Sequence, residues 1–146
     1  MPVSNNGVLN ISIGRDVSVV LTVDGQAIDL QNVTGFEANA LYSKLNVGRL
    51  DGTNLFAELP KGWSGSFTME RSNDKLDDFF ARAESLWYAA GVLQNATITQ
   101  AITEADGSTS RYQFTNCALT FGKQTWKPEA PTAMEVTFMA TQRIAL

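Results

Sequence analysis

The stretch Trp63-Ser64-Gly65-Ser66-Phe67-Thr68-Met69-Glu70-Arg71 runs directly into Ser72-Asn73-Asp74-Lys75-Leu76-Asp77-Asp78-Phe79-Phe80-Ala81-Arg82-Ala83-Glu84-Ser85-Leu86-Trp87-Tyr88-Ala89-Ala90-Gly91. In its first part Trp63, Gly65, Phe67 and Met69 alternate with Ser64, Ser66, Thr68 and Glu70. Successive side chains of a strand point to opposite faces, so this period of two reads as a β-strand with one apolar and one polar face. Then the period changes. Leu76, Phe79, Phe80, Ala83, Leu86, Trp87 and Ala90 recur at three- and four-residue steps, which lines one side of an α-helix over about 73–90. Ser72 or Asn73 can cap its start, and Asp74, Asp77 and Asp78 place carboxylates near the positive end of the helix dipole. Gly91 closes the other end. The stripe predicts Leu76, Phe79, Phe80, Ala83 and Trp87 as the core-facing side, a brace for a small β domain.

Upstream, Val17–Val23 reads as a strand, and Asp24-Gly25 is a hairpin signal that returns the chain through Gln26–Leu30. Thr34–Leu45 alternates again, with Phe36, Ala38, Ala40 and Tyr42 opposed to Glu37, Asn39 and Ser43. Downstream, Ala96–Ala105 and Ser110–Phe121 flank a second hairpin signal, Asp106-Gly107. In the later arm the apolar phase moves from Tyr112 and Phe114 to Cys117, Leu119 and Phe121, which requires a bulge near Thr115–Asn116 or a bend. Lys127-Pro128-Glu129-Ala130-Pro131 interrupts the pairing. Ala133–Arg143 follows, with Met134, Val136, Phe138 and Ala140 facing in and Glu135, Thr137, Met139 and Thr141 facing out. Strands, one helix, then strands again imply a mainly β fold: an antiparallel β-sandwich or barrel with one flanking α-helix. At 146 residues the chain reads as a single domain, 1–146.

Between Lys44 and Lys61 the alternation dissolves into a long loop, or a loose hairpin around Asp51-Gly52. Val47, Leu50, Leu55, Phe56 and Leu59 are too many apolar side chains for a merely solvated loop. Either they fold back on the chain's own core or they are buried on a partner.

Composition removes several chemistries. The chain has no histidine, which excludes Ser–His and Cys–His nucleophile pairs and the commonest zinc ligand. Its one cysteine, Cys117, falls in a strand pattern and reads as a small buried hydrophobe, as expected in a reducing cytoplasm. A net charge of −4 and a pI near 4.7 disfavour a grip on nucleic acid phosphates. No apolar run approaches the ~20 residues of a membrane span, and the N-terminus has no basic region leading into an apolar block. Asp74, Asp77 and Asp78 read as helix-terminus electrostatics rather than a metal or acid–base site. Asp51-Gly52-Thr53-Asn54 lacks the alternating ligands of a calcium loop. Trp63, Trp87 and Trp126 could form a sugar-stacking platform, but Trp63 and Trp87 fall on apolar faces; the side taken by Trp126 is open. No catalytic constellation, metal site or cofactor site emerges, so the chain is expected not to be an enzyme and to work through its surfaces.

The loop at Lys44–Lys61, the strand Gly62–Arg71 running into an acidic-capped helix, and the late Thr-rich hairpin with a terminal strand together resemble bacteriophage tail tube proteins, whose fold superfamily includes the type VI secretion tube protein. The resemblance spans nearly the whole chain and is one of architecture and segment order. It implies homohexameric rings, joined sheet edge to sheet edge, that stack into the hollow inner tail tube conducting the genome into the host. The ring-stacking loop would be Lys44–Lys61, carrying Val47, Leu50, Leu55, Phe56 and Leu59. The polar strand faces would supply a channel lining, with Glu37, Glu70 and Glu135 as candidates. Implied partners are other copies of the chain and other tail proteins, with a sheath as one candidate. DNA would pass without specific binding and no membrane would be entered. The implied location is the virion tail, assembled in the host cytoplasm. Two alternatives stand beside this one: a tail terminator or neck protein that forms a single ring, and a carbohydrate-binding β-sandwich using Trp63 or Trp126.

Overall fold

The structure, a computed structural model, describes residues 3–5, 9–11, 17–23, 25–28, 32–72, 74–104 and 106–146. Asp24, Leu30, Asn73 and Ala105, read above as turn, strand and cap residues, lie outside the described residues. In chain order the elements are β1 (Val3–Asn5), β2 (Leu9–Ile11), β3 (Val17–Val23), β4 (Gln26–Ile28), β5 (Asn32–Gly48), β6 (Asn54–Glu70), α1 (Lys75–Ala90), β7 (Ala96–Thr103), β8 (Thr109–Thr125), β9 (Ala133–Ala140) and β10 (Gln142–Ala145). Among the described residues β1 pairs only with β2, and the other strands follow the order β4-β3-β7-β8-β9-β6-β5, with β10 added to β8.

Every pairing is antiparallel, and β8 belongs to two layers. Its first part pairs with β7, from Thr109 opposite Thr103 to Cys117 opposite Ala96. Its second part pairs with β9, from Ala118 opposite Met139 to Thr125 opposite Ala133. At the changeover Phe114 to Cys117 on β8 faces Ile98 to Ala96 on β7, one residue in excess, and Asn116 takes a φ of 49°. Asparagine tolerates this left-handed conformation better than most residues, so the bulge falls where the apolar phase of the sequence shifts. One layer is therefore β4-β3-β7 with the first part of β8 and β10. The other is the second part of β8 with β9, β6 and β5.

The layers meet through the apolar faces that the alternation marks out. Leu21, Ile98 and Phe114 from the first layer, and Phe67, Met69, Met134, Val136 and Phe138 from the second, are almost wholly buried in one cluster. Phe114 lies 5.7 Å from Phe138 and 6.1 Å from Phe36, ring centre to ring centre. The fold is a mainly β, antiparallel sandwich, with one helix among the described residues.

Three sequence expectations are corrected, and the pair β1–β2 is an addition to them. The terminal strand breaks at Thr141: β9 ends at Ala140, Thr141 donates its N–H to the Thr115 carbonyl (2.9 Å), and β10 crosses to the first part of β8. The short pair β1–β2 carried too little alternation to be read. Asp74, not Ser72, occupies the N-cap position of α1, and its side chain makes no capping bond. Trp87 does not brace the core. Leu76 and Phe79 are buried, Phe80 packs edge-on against Phe121 at 5.2 Å, and Ala83 is partly covered, but Trp87 is 50% exposed. The 16-residue helix is ~24 Å long, and its apolar stripe continues past the surface that its first half covers.

Candidate functional site

Of the two forms expected for Lys44–Lys61, a long loop or a loose hairpin around Asp51-Gly52, the structure has the hairpin, as a formed arm. The β5–β6 ladder continues from Tyr42 opposite Pro60 to Gly48 opposite Asn54, beyond the level where β9 ends opposite Trp63. A bulge at Lys61 admits Gly62 at φ 114°, where an added Cβ would overlap the backbone of Ala140. The tip is closed by Arg49 N–H to the Thr53 carbonyl (2.9 Å), Gly52 N–H to the Arg49 carbonyl (3.1 Å) and Thr53 N–H to Asp51 Oδ1 (2.9 Å). The bonds from Thr53 favour the carboxylate form and hold the Asp51 carboxyl below its ordinary value.

Among the described residues no second layer lies beside the arm, and its apolar side chains stay in the open. Leu45, Val47, Leu55 and Leu59 share one face and are 46–49% exposed; Phe56, on the other face, is 75% exposed, and Leu50 at the tip is fully exposed. These include all five of the residues assigned from sequence to ring stacking. The single chain does not fold them back on its own core.

The outward face of β5-β6-β9-β8 is polar in rows across the strands. Glu37, Ser66, Thr137 and Thr120 are level, as are Asn39, Ser64, Met139 and Ala118. Glu135 is opposite Thr68 on one side and Lys123 on the other, and Glu70 is opposite Ala133. Glu37 accepts a hydrogen bond from Asn39 Nδ2 (3.2 Å), and the hydroxyls of Thr34 and Thr68 are 3.2 Å apart. The three glutamates thus lie on one sheet face, with Glu70 near its end. Lys123 joins them unexpectedly: its sequence phase matches inward Phe121, but the bulge at Gly122 turns it outward. Among the described residues β5 pairs only with β6, and Ala118–Thr125 pairs only with β9, so this four-stranded sheet has two unpaired edges.

The tryptophans do not assemble a platform; among the described residues no ring contact joins two of them. Trp63 packs edge-on against Phe114 (5.6 Å), and Arg143 lies over it at 4.3 Å while also reaching Tyr112 at 4.8 Å. Trp126 is 64% exposed beneath Arg71, whose Nε donates to Asp77 Oδ2 at 2.7 Å. The aspartate cluster is therefore partly engaged in an ion pair. Cys117 is buried, donates from Sγ to the Phe114 carbonyl (3.2 Å), and burial pushes its thiol up to about 11. Among the described residues no group of three or more His, Cys, Asp or Glu is placed to hold a metal ion.

No family model and no curated protein sequence matches the chain. Solved structures do. A chain of the PVC sheath–tube complex of an extracellular contractile injection system, in the extended state, superposes with a TM-score of 0.62 at 13% identity, over 88% of this chain and 87% of that one. The tube terminating cap of the anti-feeding prophage gives 0.65 at 10% identity, over 98% and 95%. The SPP1 tail tube gives 0.63 at 10% identity, over 92% and 78%. The chain has the phage tail tube fold. Within that tail tube fold the features unexplained by packing are the arm, the polar sheet face and the two open edges.

Proposed function

We propose that this chain is a structural, non-catalytic subunit of a viral tail: six copies close a ring, and rings stack into the hollow inner tube that conducts the genome into the host. The observation that carries this reading is the four-stranded sheet with two unpaired edges and a hydroxyl- and carboxylate-lined outer face. An exposed edge invites another strand. If β5 of one copy lies beside Ala118–Thr125 of the next, unlike edges mate and repetition about an axis closes a ring with no edge left open. The polar faces then form one continuous wall, with Glu37, Glu70 and Glu135 among Ser and Thr hydroxyls. On this wall Lys123 stands opposite Glu135, so the carboxylates outnumber the cations that could displace counterions from DNA, and the polyanion passes without being held. The exposed arm supplies contact between rings. The partners are copies of the chain and other tail components, in the virion.

A second reading, a terminator that makes one ring and does not stack, draws on the likeness to the anti-feeding prophage tube terminating cap and to a PVC sheath/tube terminator structure (TM-score 0.65, 12% identity). Negative-stain microscopy of the concentrated protein separates the two. Tubes support the tail tube, rings that remain single support the terminator, and monomers at every concentration refute both.

A further inference from the structure

We infer that the loop following β8, Trp126–Thr132, is the surface on which the β5–β6 arm of a second copy docks. This rests on the tube reading and names the receiving half of the ring-to-ring contact. Trp126 is 64% exposed yet fixed: the Arg71 guanidinium lies 5.6 Å from its ring centre, and Asp77 anchors that guanidinium at 2.7 Å. A large indole held in water by an ion pair and a cation–π contact is pre-organised for a partner, and tryptophan is enriched among the residues that dominate interface energies. Pro128 and Pro131 are exposed beside it in sequence, and Glu129 between them takes a φ of 62°, a conformation costly for a residue with a Cβ.

The strand register says which surface it meets. Asn32, Glu70, Ala133 and Thr125 are level at one end of the four-stranded sheet, and Trp126 follows Thr125 directly. The arm leaves from the opposite end, past Trp63 and Ala140. Two copies stacked in the same orientation therefore bring the arm end of one to the Trp126 end of the other. Unlike patches meet, and a head-to-tail contact of this kind grows without closing. The chemistry matches. Leu45, Val47, Leu55 and Leu59 offer a flat aliphatic face to the indole and the prolines. Arg49 and Asp51 at the tip find an acid and a base in Glu129 and Lys127.

The test uses the full chain. Trp126→Ala is expected to form rings but to need a concentration at least about tenfold higher than the parent to form tubes. In parallel, Lys127→Cys is combined with Thr53→Cys or with Ala57→Cys and treated with a short bis-maleimide; buried Cys117 is a silent background. At least one pair is expected to give a ladder of covalent multimers that Lys127→Cys alone does not. Trp126→Ala tubes at the parent concentration, or no ladder from either pair in samples that microscopy shows to be tubes, would overturn the docking site and leave the tube reading standing. If Trp126→Ala misfolds, the cross-linking alone decides. A parent protein that never stacks removes the tube reading, and this contact with it.

Discussion

Replacing Phe114 with alanine asks whether one side chain ties the two layers together. Phe114 sits on β8 just before the strand changes layers, is 0% exposed, and has the rings of Phe36, Trp63 and Phe138 within 6.1 Å. Burying a phenylalanine removes on the order of 150–200 Å² from water, or about 4–5 kcal/mol at ~25 cal/mol per Å². Alanine keeps a small part of that, but the cavity among three rings adds a cost, so the expected loss is about 3–5 kcal/mol. Domains of this size are stable by roughly 5–15 kcal/mol, and the melting temperature should fall by roughly 8–16 °C. The assay is urea unfolding at a concentration where the chain is monomeric, followed by circular dichroism and by tryptophan emission. The second signal includes a local report from Trp63, 5.6 Å from Phe114, above the emission of exposed Trp87 and Trp126. Phe114→Leu, which refills most of the volume, should lose less than about 1.5 kcal/mol. A loss below about 1 kcal/mol for Phe114→Ala, at an unchanged denaturant slope, would refute the view that this ring joins the layers.

Trp87→Ala should cost only about 1–2 kcal/mol, because half of the side chain is already in water; a loss above 3 kcal/mol in the same urea titration would return Trp87 to the core. Gly65→Ala should abolish native near-ultraviolet dichroism, since a Cβ there would overlap the Glu37 carbonyl oxygen and stand 3.0 Å from the Ala38 Cα, prising β5 from β6; a soluble variant with the parent spectrum would contradict that register. Cys117 should resist thiol reagents at pH 8 until the chain unfolds. Its folded value is raised from 9.0 to about 11, so the unfolded chain loses this proton first and stability should decline as pH rises from about 9 towards 11, by up to ~1.4 kcal/mol per unit. Cys117→Ala lacks that component, and parallel pH profiles for the two proteins would count against it. Substituting lysine at both Glu70 and Glu135 should leave assembly intact and make tubes retain DNA at low salt, with release as salt rises; no retention under those conditions would remove these side chains from the channel wall.

Much of the candidate site was legible because it rests on local patterns. The polar residues of β6 and β9 face together because a period of two leaves no other arrangement once Phe67, Met69, Val136 and Phe138 are buried. The apolar arm residues were also visible, in a segment that the sequence leaves as either a long loop or a loose hairpin around Asp51-Gly52. Its β6 side was hidden because Lys61 bulges out of the ladder and breaks the alternation there. Lys123 was missed for a similar reason, a single bulge at Gly122 that reverses the facing of everything after it.

By itself the sequence determined the class of fold, the helix and where it begins and ends to within a couple of residues, the buried faces, the turn at Asp51-Gly52 and the phase shift at Asn116. Each follows from dihedral preference or from burial of one face, which act between near neighbours in the chain. Tertiary structure alone decided that β8 serves both layers, that the chain breaks at Thr141 to add β10, that Trp87 overhangs and that Arg71 and Asp77 hold Trp126 in the open. These depend on how far one layer extends beneath another and on which distant side chain arrives alongside. An amphipathic stripe shows that a residue can be buried; only the extent of the facing surface determines whether it is.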